Sequence, residues 1–152
     1  MRYLGPLVFL IAFLLVACSS NNEPVYDSRL KCPDCPLLKV TRIIDGDTFD
    51  SARGRVRLFG VDTPERSQRC YQAATNRLRE IAGDVVRFQL GPRPLDRSGR
   101  LLYYVYTSAG GSIDEALIRE GFGRAWRQDG QHREYLYQEE VIAIAKGTGC
   151  LW

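Results

Sequence analysis

The sequence predicts an α+β fold, mainly β: five short strands closing a small OB-type barrel with about three α-helices packed on it. Three observations carry this reading. Short β-branched runs, several with alternating polarity, recur between residues 37 and 107. Helical periodicity is confined to three stretches that lie between and after those runs. Gly, Pro and Asp clusters punctuate the chain at short intervals. A barrel suits this pattern best, although periodicity alone leaves it one of several α+β arrangements.

The elements follow in order. "LLKVTRII" (37–44) is β-branched, "TFDS" (48–51) is short, and "RVRLFGV" (55–61) alternates, so the three form a meander. The spacing predicts a helix over 67–82, with Ala73, Ala74, Leu78 and Ile81 on one face and Gly83 as its stop. "VVRFQL" and "RLLYYVYT" read as two further strands separated by "GPRPLDRSG". "SIDEALIREG" carries a capping box, Ser112 with Glu115, and closes on Gly121. A last helix over 131–146 ends at "KGTG", with Tyr135, Leu136 and Val141 expected to pack it on the barrel. His132, the single histidine, is assigned no role. There is no internal repeat and no low-complexity segment.

The chain opens with "MRYLGPLVFLIAFLLVACSS", a basic residue, an apolar run and small residues ending at Cys18. That is the layout of a secretory signal, and the run is shorter than the roughly 20 residues a membrane span needs. "LVAC" resembles a bacterial lipobox, which makes Cys18 the acylated first residue of the mature chain. Ser19 after it favours the outer membrane. The expected organisation is a signal peptide over 1–17, a polar tether over 18–36, and one domain over 37–152. Plain secretion or a periplasmic location is the alternative.

Net charge is +3, and Arg2 in the leader carries one of those charges. So weak an excess argues against a chromatin-like electrostatic binder, and an anion site must come from local clustering. All but three of the 21 basic residues are arginine, the lysines being Lys31, Lys39 and Lys146. Arginine is the better fork for phosphate oxygens. With Cys18 given to lipid, four cysteines remain, which outside the cytoplasm implies disulfides. Of three possible pairings, Cys32 with Cys35 and Cys70 with Cys150 is preferred, because the second staples the C-terminus to the body. A thioredoxin-type "CPDC" needs a helix that does not follow it, and a zinc site has only one CxxC half.

The chemistry sits in "RIIDGDTFDSARGRVRLFGVDTPE" (42–65). Asp-Gly after a strand is an ordinary hairpin turn. From Asp47, however, the chain runs out about five residues and back about six, which returns Asp62 to the level of Asp47 at roughly 3.3 Å per residue. Like charges brought together without a partner cost stability. A cation is therefore expected between them, and carboxylate, carbonyl and water ligands suit Ca²⁺. A purely stabilising calcium, or a cluster salt-bridged by nearby arginine, is the alternative. Arg57 and Arg100 are candidates for a phosphate clamp. Arg57 lies roughly 16 Å from Asp62 along a straight strand, so the two share a site only if the strand bends, with Gly60 the candidate position.

"IDGDTF", "VRLFGVDTPE", "DRSGRLLYYVY", "IDEALIREGFGRAW" and "GCLW", in that order over about residues 38–152, resemble the staphylococcal nuclease (thermonuclease) family. The resemblance implies an OB-type barrel hydrolysing DNA and RNA phosphodiesters at the 5′-oxygen side, with low sequence specificity, endonucleolytic attack and 3′-phosphate products. It implies Ca²⁺ held by Asp47, Asp62 and the carbonyl of Thr63, with Asp45 just outside. It gives Glu65 the water-activating role and Arg57 and Arg100 the scissile phosphate. Two features depart from the family: Ser98 stands where many members have Tyr, and "ERSQRC" is a short loop. Base stacking could instead use Tyr103 or Trp126, the alternative for each being an aromatic packed in the core. The expected enzyme is a lipid-anchored monomer. The rival readings are a nucleic-acid-binding OB module without catalysis and a structural lipoprotein.

Overall fold

The computed structural model describes residues 28–152; the expected leader, Cys18 and the tether up to residue 27 lie outside them. Five strands close a barrel in the order β1, β2, β3, β6, β5. They are β1 (Leu37–Ile43), β2 (Thr48–Ser51), β3 (Gly54–Leu58), β5 (Val85–Leu95) and β6 (Leu101–Thr107). Neighbours are antiparallel except β3 and β6, which run parallel with Val56 opposite Leu101. This is an OB-type barrel. Three helices flank it: α1 (Tyr71–Ala82), α2 (Ile113–Arg119) and α3 (Arg133–Lys146).

Alternation along the strands supplies the core. Phe49, Val56, Leu58, Val86 and Val105 point inward from the barrel and meet Leu78 of α1, Leu117 and Ile118 of α2 and Leu136 of α3, all fully buried. Each such side chain contributes about 1.5–3 kcal/mol by leaving water.

Four expectations are corrected. The third strand is not continuous over 55–61: it breaks at Phe59 and Gly60, and the chain resumes as β4 (Val61–Asp62), which pairs with β7 (Arg124–Ala125) outside the barrel. The fourth strand does not stop at Leu90 but runs to Leu95 through two prolines, because its pairing with β6 is irregular between Leu90 and Leu95 and the missing N–H groups cost nothing there. Helix α1 begins at Tyr71 rather than 67, since Ser67 and Cys70 both adopt positive φ. Val141 does not pack α3 onto the barrel; it is 41% exposed, and Leu136, Glu140 and Ala143 form the buried face instead.

Residues 28–36, expected as tether, belong to the body. The Cys32 N–H donates to the Gly110 carbonyl (2.8 Å), and Ser28 is buried. The anchor of this segment is Glu115. Its N–H donates to Ser112 Oγ (3.2 Å), one half of the capping box. Its carboxylate does not return that bond. It accepts from Ser28 Oγ (2.6 Å), the Leu30 N–H (2.9 Å), the Arg29 N–H (3.2 Å) and the Tyr135 hydroxyl (2.8 Å). Burial pushes the Glu115 carboxyl up, but these donors outweigh it and hold the group below the usual range. Disulfides join Cys32 to Cys35 and Cys70 to Cys150. The second closes a long loop, which by chain entropy is worth about 4 kcal/mol.

Asp114, on the first turn of α2 and fully buried, holds the break after β3 in place. Its carboxylate accepts the Gly60 N–H (2.7 Å) and the Val105 N–H (3.0 Å). Glycine suits position 60, because a Cβ there would lie 2.5 Å from Leu136 Cδ1 and 3.0 Å from Asp114 Oδ1, and the buried packing would have to shift. Burial raises the Asp114 carboxyl to about 6, and the two N–H donors offset this only in part. An unfolded Asp titrates near 3.9, so between roughly pH 4 and 6 the folded chain keeps a proton that the unfolded chain has lost. The contribution of Asp114 is therefore full below pH 4 and declines as pH rises through about 6. In urea unfolding, the stability advantage of the parent over Asp114→Asn is expected to shrink on the order of 2–3 kcal/mol between pH 4 and 7. A gap that stays constant across that range would show the carboxylate ionised throughout.

Candidate active site

Two acidic loops meet beside the barrel. The first, residues 44–47, follows β1, and its Gly46 lets it press against the second: a Cβ there would sit 2.6 Å from Thr63 Oγ1 and 2.8 Å from Ala74 Cβ. Asp47 is buried, and its Oδ2 accepts both the N–H and the hydroxyl of Thr63 (2.8 Å each). Its Oδ1 accepts from Thr48 Oγ1 (3.0 Å). Asp45 is half-buried and accepts the Asp47 N–H (3.2 Å). Burial, together with the charge of Asp47, raises the Asp45 carboxyl above its ordinary range.

Arg57 reaches from β3 into the break before β4. Its Nη1 donates to the carbonyls of Leu58 and Val61 (2.6 Å each), its Nη2 to Asp62 Oδ1 (2.7 Å), and its Nε lies 3.1 Å from Asp47 Oδ1. The bend that the sequence only permits is thus what joins Arg57 to Asp62. Three of its five N–H groups are spent on hydrogen bonds and the Nε–H faces Asp47, which leaves one on Nη2. The side chain is 11% exposed, whereas that of Asp62 is 53% exposed. Removing the guanidinium would leave Asp47 buried and unpaired, a change that costs about 3–5 kcal/mol in comparable settings.

Asp45, Asp47, Arg57, Asp62 and Thr63 therefore come together, with three carboxylates against one guanidinium. Two other candidates lie outside this cluster. Glu65 is exposed; its N–H donates to Gln68 Oε1 (2.7 Å), and the Gln68 N–H returns to its carbonyl (2.9 Å), so the loop is shaped while the carboxylate faces solvent. Arg100 is gripped in its own turn by Asp96, whose Oδ2 lies 2.6 Å from Nε and whose Oδ1 takes the N–H groups of Ser98 and Arg100. Burial works against the Asp96 carboxylate, but the bonds from Arg100 and Ser98 hold it below the usual range. Asp50, Arg55, Ser98, Gly99 and Arg100 line a shallow depression of about 470 Å³.

Of the two candidate stacking residues, Tyr103 is corrected: it is 5% exposed and stacks on Phe88 at 4.6 Å, so it offers no free face. Trp126 is half-buried, and its Nε1 donates to Asp129 Oδ1 (2.8 Å), leaving part of the ring open. His132 packs edge-on against Tyr104. Sequence reasoning missed Asp114, which fixes the bend, and Asp96, which orients Arg100; the "DRSGR" turn was a usable signal for the second. It also missed Arg55, held with Arg42 on Asp50 beside the Arg100 depression.

The family model described as staphylococcal nuclease homologue matches residues 55–152. A thermonuclease of Staphylococcus hyicus is 30% identical over 90% of this chain and 85% of its own. A micrococcal nuclease of Shigella flexneri is 32% identical over 75% of this chain and 72% of its own. An uncharacterized endonuclease of Escherichia coli is 33% identical over 59% of this chain, which spans 61% of that relative. The class of protein is thereby set as a thermonuclease-like phosphodiesterase. The chain belongs to the staphylococcal nuclease family.

Thr63 joins the two acidic loops, and its hydroxyl can be removed with little change of shape. Thr63→Val should destabilise the fold by about 1.5–3 kcal/mol, the worth of a hydrogen bond to a charged group, measured by urea unfolding. A loss within error of zero would mean that the Thr63 N–H, the Thr48 hydroxyl and Arg57 hold Asp47 without the Thr63 hydroxyl.

Proposed function

We propose that the chain is a calcium-dependent endonuclease hydrolysing DNA or RNA with low sequence specificity and leaving 3′-phosphates, carried outside the cytoplasm on a lipid at Cys18. The observation that carries it is the Asp47–Arg57–Asp62 cluster beside an exposed Glu65. Three carboxylates with one guanidinium leave a local excess of negative charge, and the Asp45 carboxyl is raised by burial first and by the charge of Asp47 second. The donors are all hard oxygens, which fits Ca²⁺. Among the described residues, however, no three His, Cys, Asp or Glu side chains could hold a metal by themselves, so the Thr63 carbonyl and water complete the set. Asp47 and Asp62 would be its protein carboxylates, with Asp45 outside them. When bound, the ion supplies positive charge to a phosphate.

The remaining roles fall to this chain's own groups. Glu65, free to reach a water, takes a proton from it as the water attacks phosphorus. The P–O5′ bond breaks, the phosphate stays on the 3′ side, and the departing 5′-oxygen takes a proton from solvent. Arg57 offers its one uncommitted N–H, on Nη2, to a phosphate oxygen, and Arg100, preset by Asp96, offers its outer N–H groups. Exposed Arg53, Arg66, Arg69 and Arg97 supply contacts to the phosphate backbone that do not read sequence. The lipid reading rests on "LVACSS". A monomer is proposed with it.

One observation favours a binding-only module: both candidate arginines are already bonded to carboxylates. Plasmid cleavage separates the readings. Calcium should produce nicked and then linear product, excess EGTA should abolish it, and Glu65→Gln should slow it about 10²–10⁴-fold. Arg57→Ala should cost a further-reaching loss of about 10²-fold or more together with stability. DNA retarded in a gel but left uncut by the parent protein would support the binding module. Cleavage undiminished in EGTA would remove calcium from the account.

A further inference from the structure

The C-terminal half of α3 is apolar on its outward side as well as its inward one. A surface helix normally keeps one apolar stripe, and Leu136 and Ala143 already fill that need by packing inward. Yet Val141, Ile142 and Ile144 are 41%, 45% and 45% exposed. They lie within two turns of one another. Contiguous apolar surface of this kind marks a partner or a membrane.

Two further observations select the membrane. On the side of Ile142 the lining is cationic in balance: Arg29, Arg119 and Lys146 line a groove of about 430 Å³ with Ile142 and the acid Glu139, and Arg119 is paired with Glu139, which leaves Arg29 and Lys146 as the excess. The chain also enters the body here. Ser28 and Leu30 bond to Glu115, which accepts the hydroxyl of Tyr135 on the first turns of α3. From Cys18 to Ser28 the sequence can span at most about 35 Å. A lipid on Cys18 would therefore keep α3 within one domain diameter of the bilayer, with its entry side toward the lipid.

We propose that the outer face of α3 is a membrane-docking surface that seats Val141, Ile142 and Ile144 in the interfacial layer of an anionic bilayer, with Arg29 and Lys146 directed to lipid phosphates. This rests on the reading of Cys18 as the lipid anchor. Docking fixes the orientation of the enzyme on its membrane, which a lipid on Cys18 alone does not.

The test uses the full chain purified from bacterial membranes and reconstituted into phosphatidylethanolamine and phosphatidylglycerol vesicles, with or without brominated acyl chains. An Ile142→Trp variant is read as the difference from the parent. Its added emission should fall about twofold on brominated vesicles, as expected for a ring at the acyl boundary. Adding Val141→Glu and Ile144→Glu should restore the emission while the protein still sediments with the vesicles. Emission that is unquenched on vesicles carrying the protein overturns docking and leaves the anchor standing. Protein that stays in the supernatant overturns the anchor, and docking with it. A doubling of mass in solution that Val141→Glu abolishes would assign the face to a second copy and also overturn the proposal.

Discussion

A buried guanidinium holds this molecule's working end together. Arg57 can leave water only if its donors find partners, and it finds them in two carbonyls that the bend after β3 exposes and in two carboxylates that would otherwise repel each other. Each feature needs the others. Without the bend, Asp62 would point along the strand; without Arg57, Asp47 would be a lone charge in the core. Asp114 secures the same bend from behind by taking the Gly60 N–H, so the acidic loops are held from both sides.

The site is divided into groups that are held and groups that can reach. Asp47, Thr63 and Arg57 are buried and bonded on several sides, whereas Glu65 and much of Asp62 stand in solvent. Such a division suits chemistry on a polymer. The rigid part fixes where charge will be met, and the open part leaves room for a long substrate to lie across the surface without being threaded into a pocket.

Much of this was legible beforehand because it is local. Alternation marked the barrel strands, Ser112 marked the start of α2, and the count of residues between Asp47 and Asp62 brought the two loops to one end. What escaped notice depends on contacts distant in sequence. Nothing in the local pattern "RLKCPDCP" around Cys32 and Cys35 says that residues 28–36 lie against Gly110 and Glu115 rather than in solvent. The split of the third strand needed Asp114 and Trp126, both more than fifty residues on, to bond Gly60. Arg57 was placed in the site by its type, but that it would face the carboxylates with most of its donors could be seen only once the bend was visible. Val141 misled because α3 is apolar on both sides, so its periodicity does not say which side is inside.

Glu115 gives the N-terminal segment a second meaning. A leash ordinarily transmits position and nothing else, and the domain at its end is indifferent to how it is pulled. Here the first described residues end in the interior, where Ser28, Arg29 and Leu30 supply the donors that make a buried carboxylate tolerable. Tension on the N-terminus, or a proteolytic cut just inside Ser28, is therefore felt by α2 and α3 at once. What enters the body at Ser28 is thus a part of its own core.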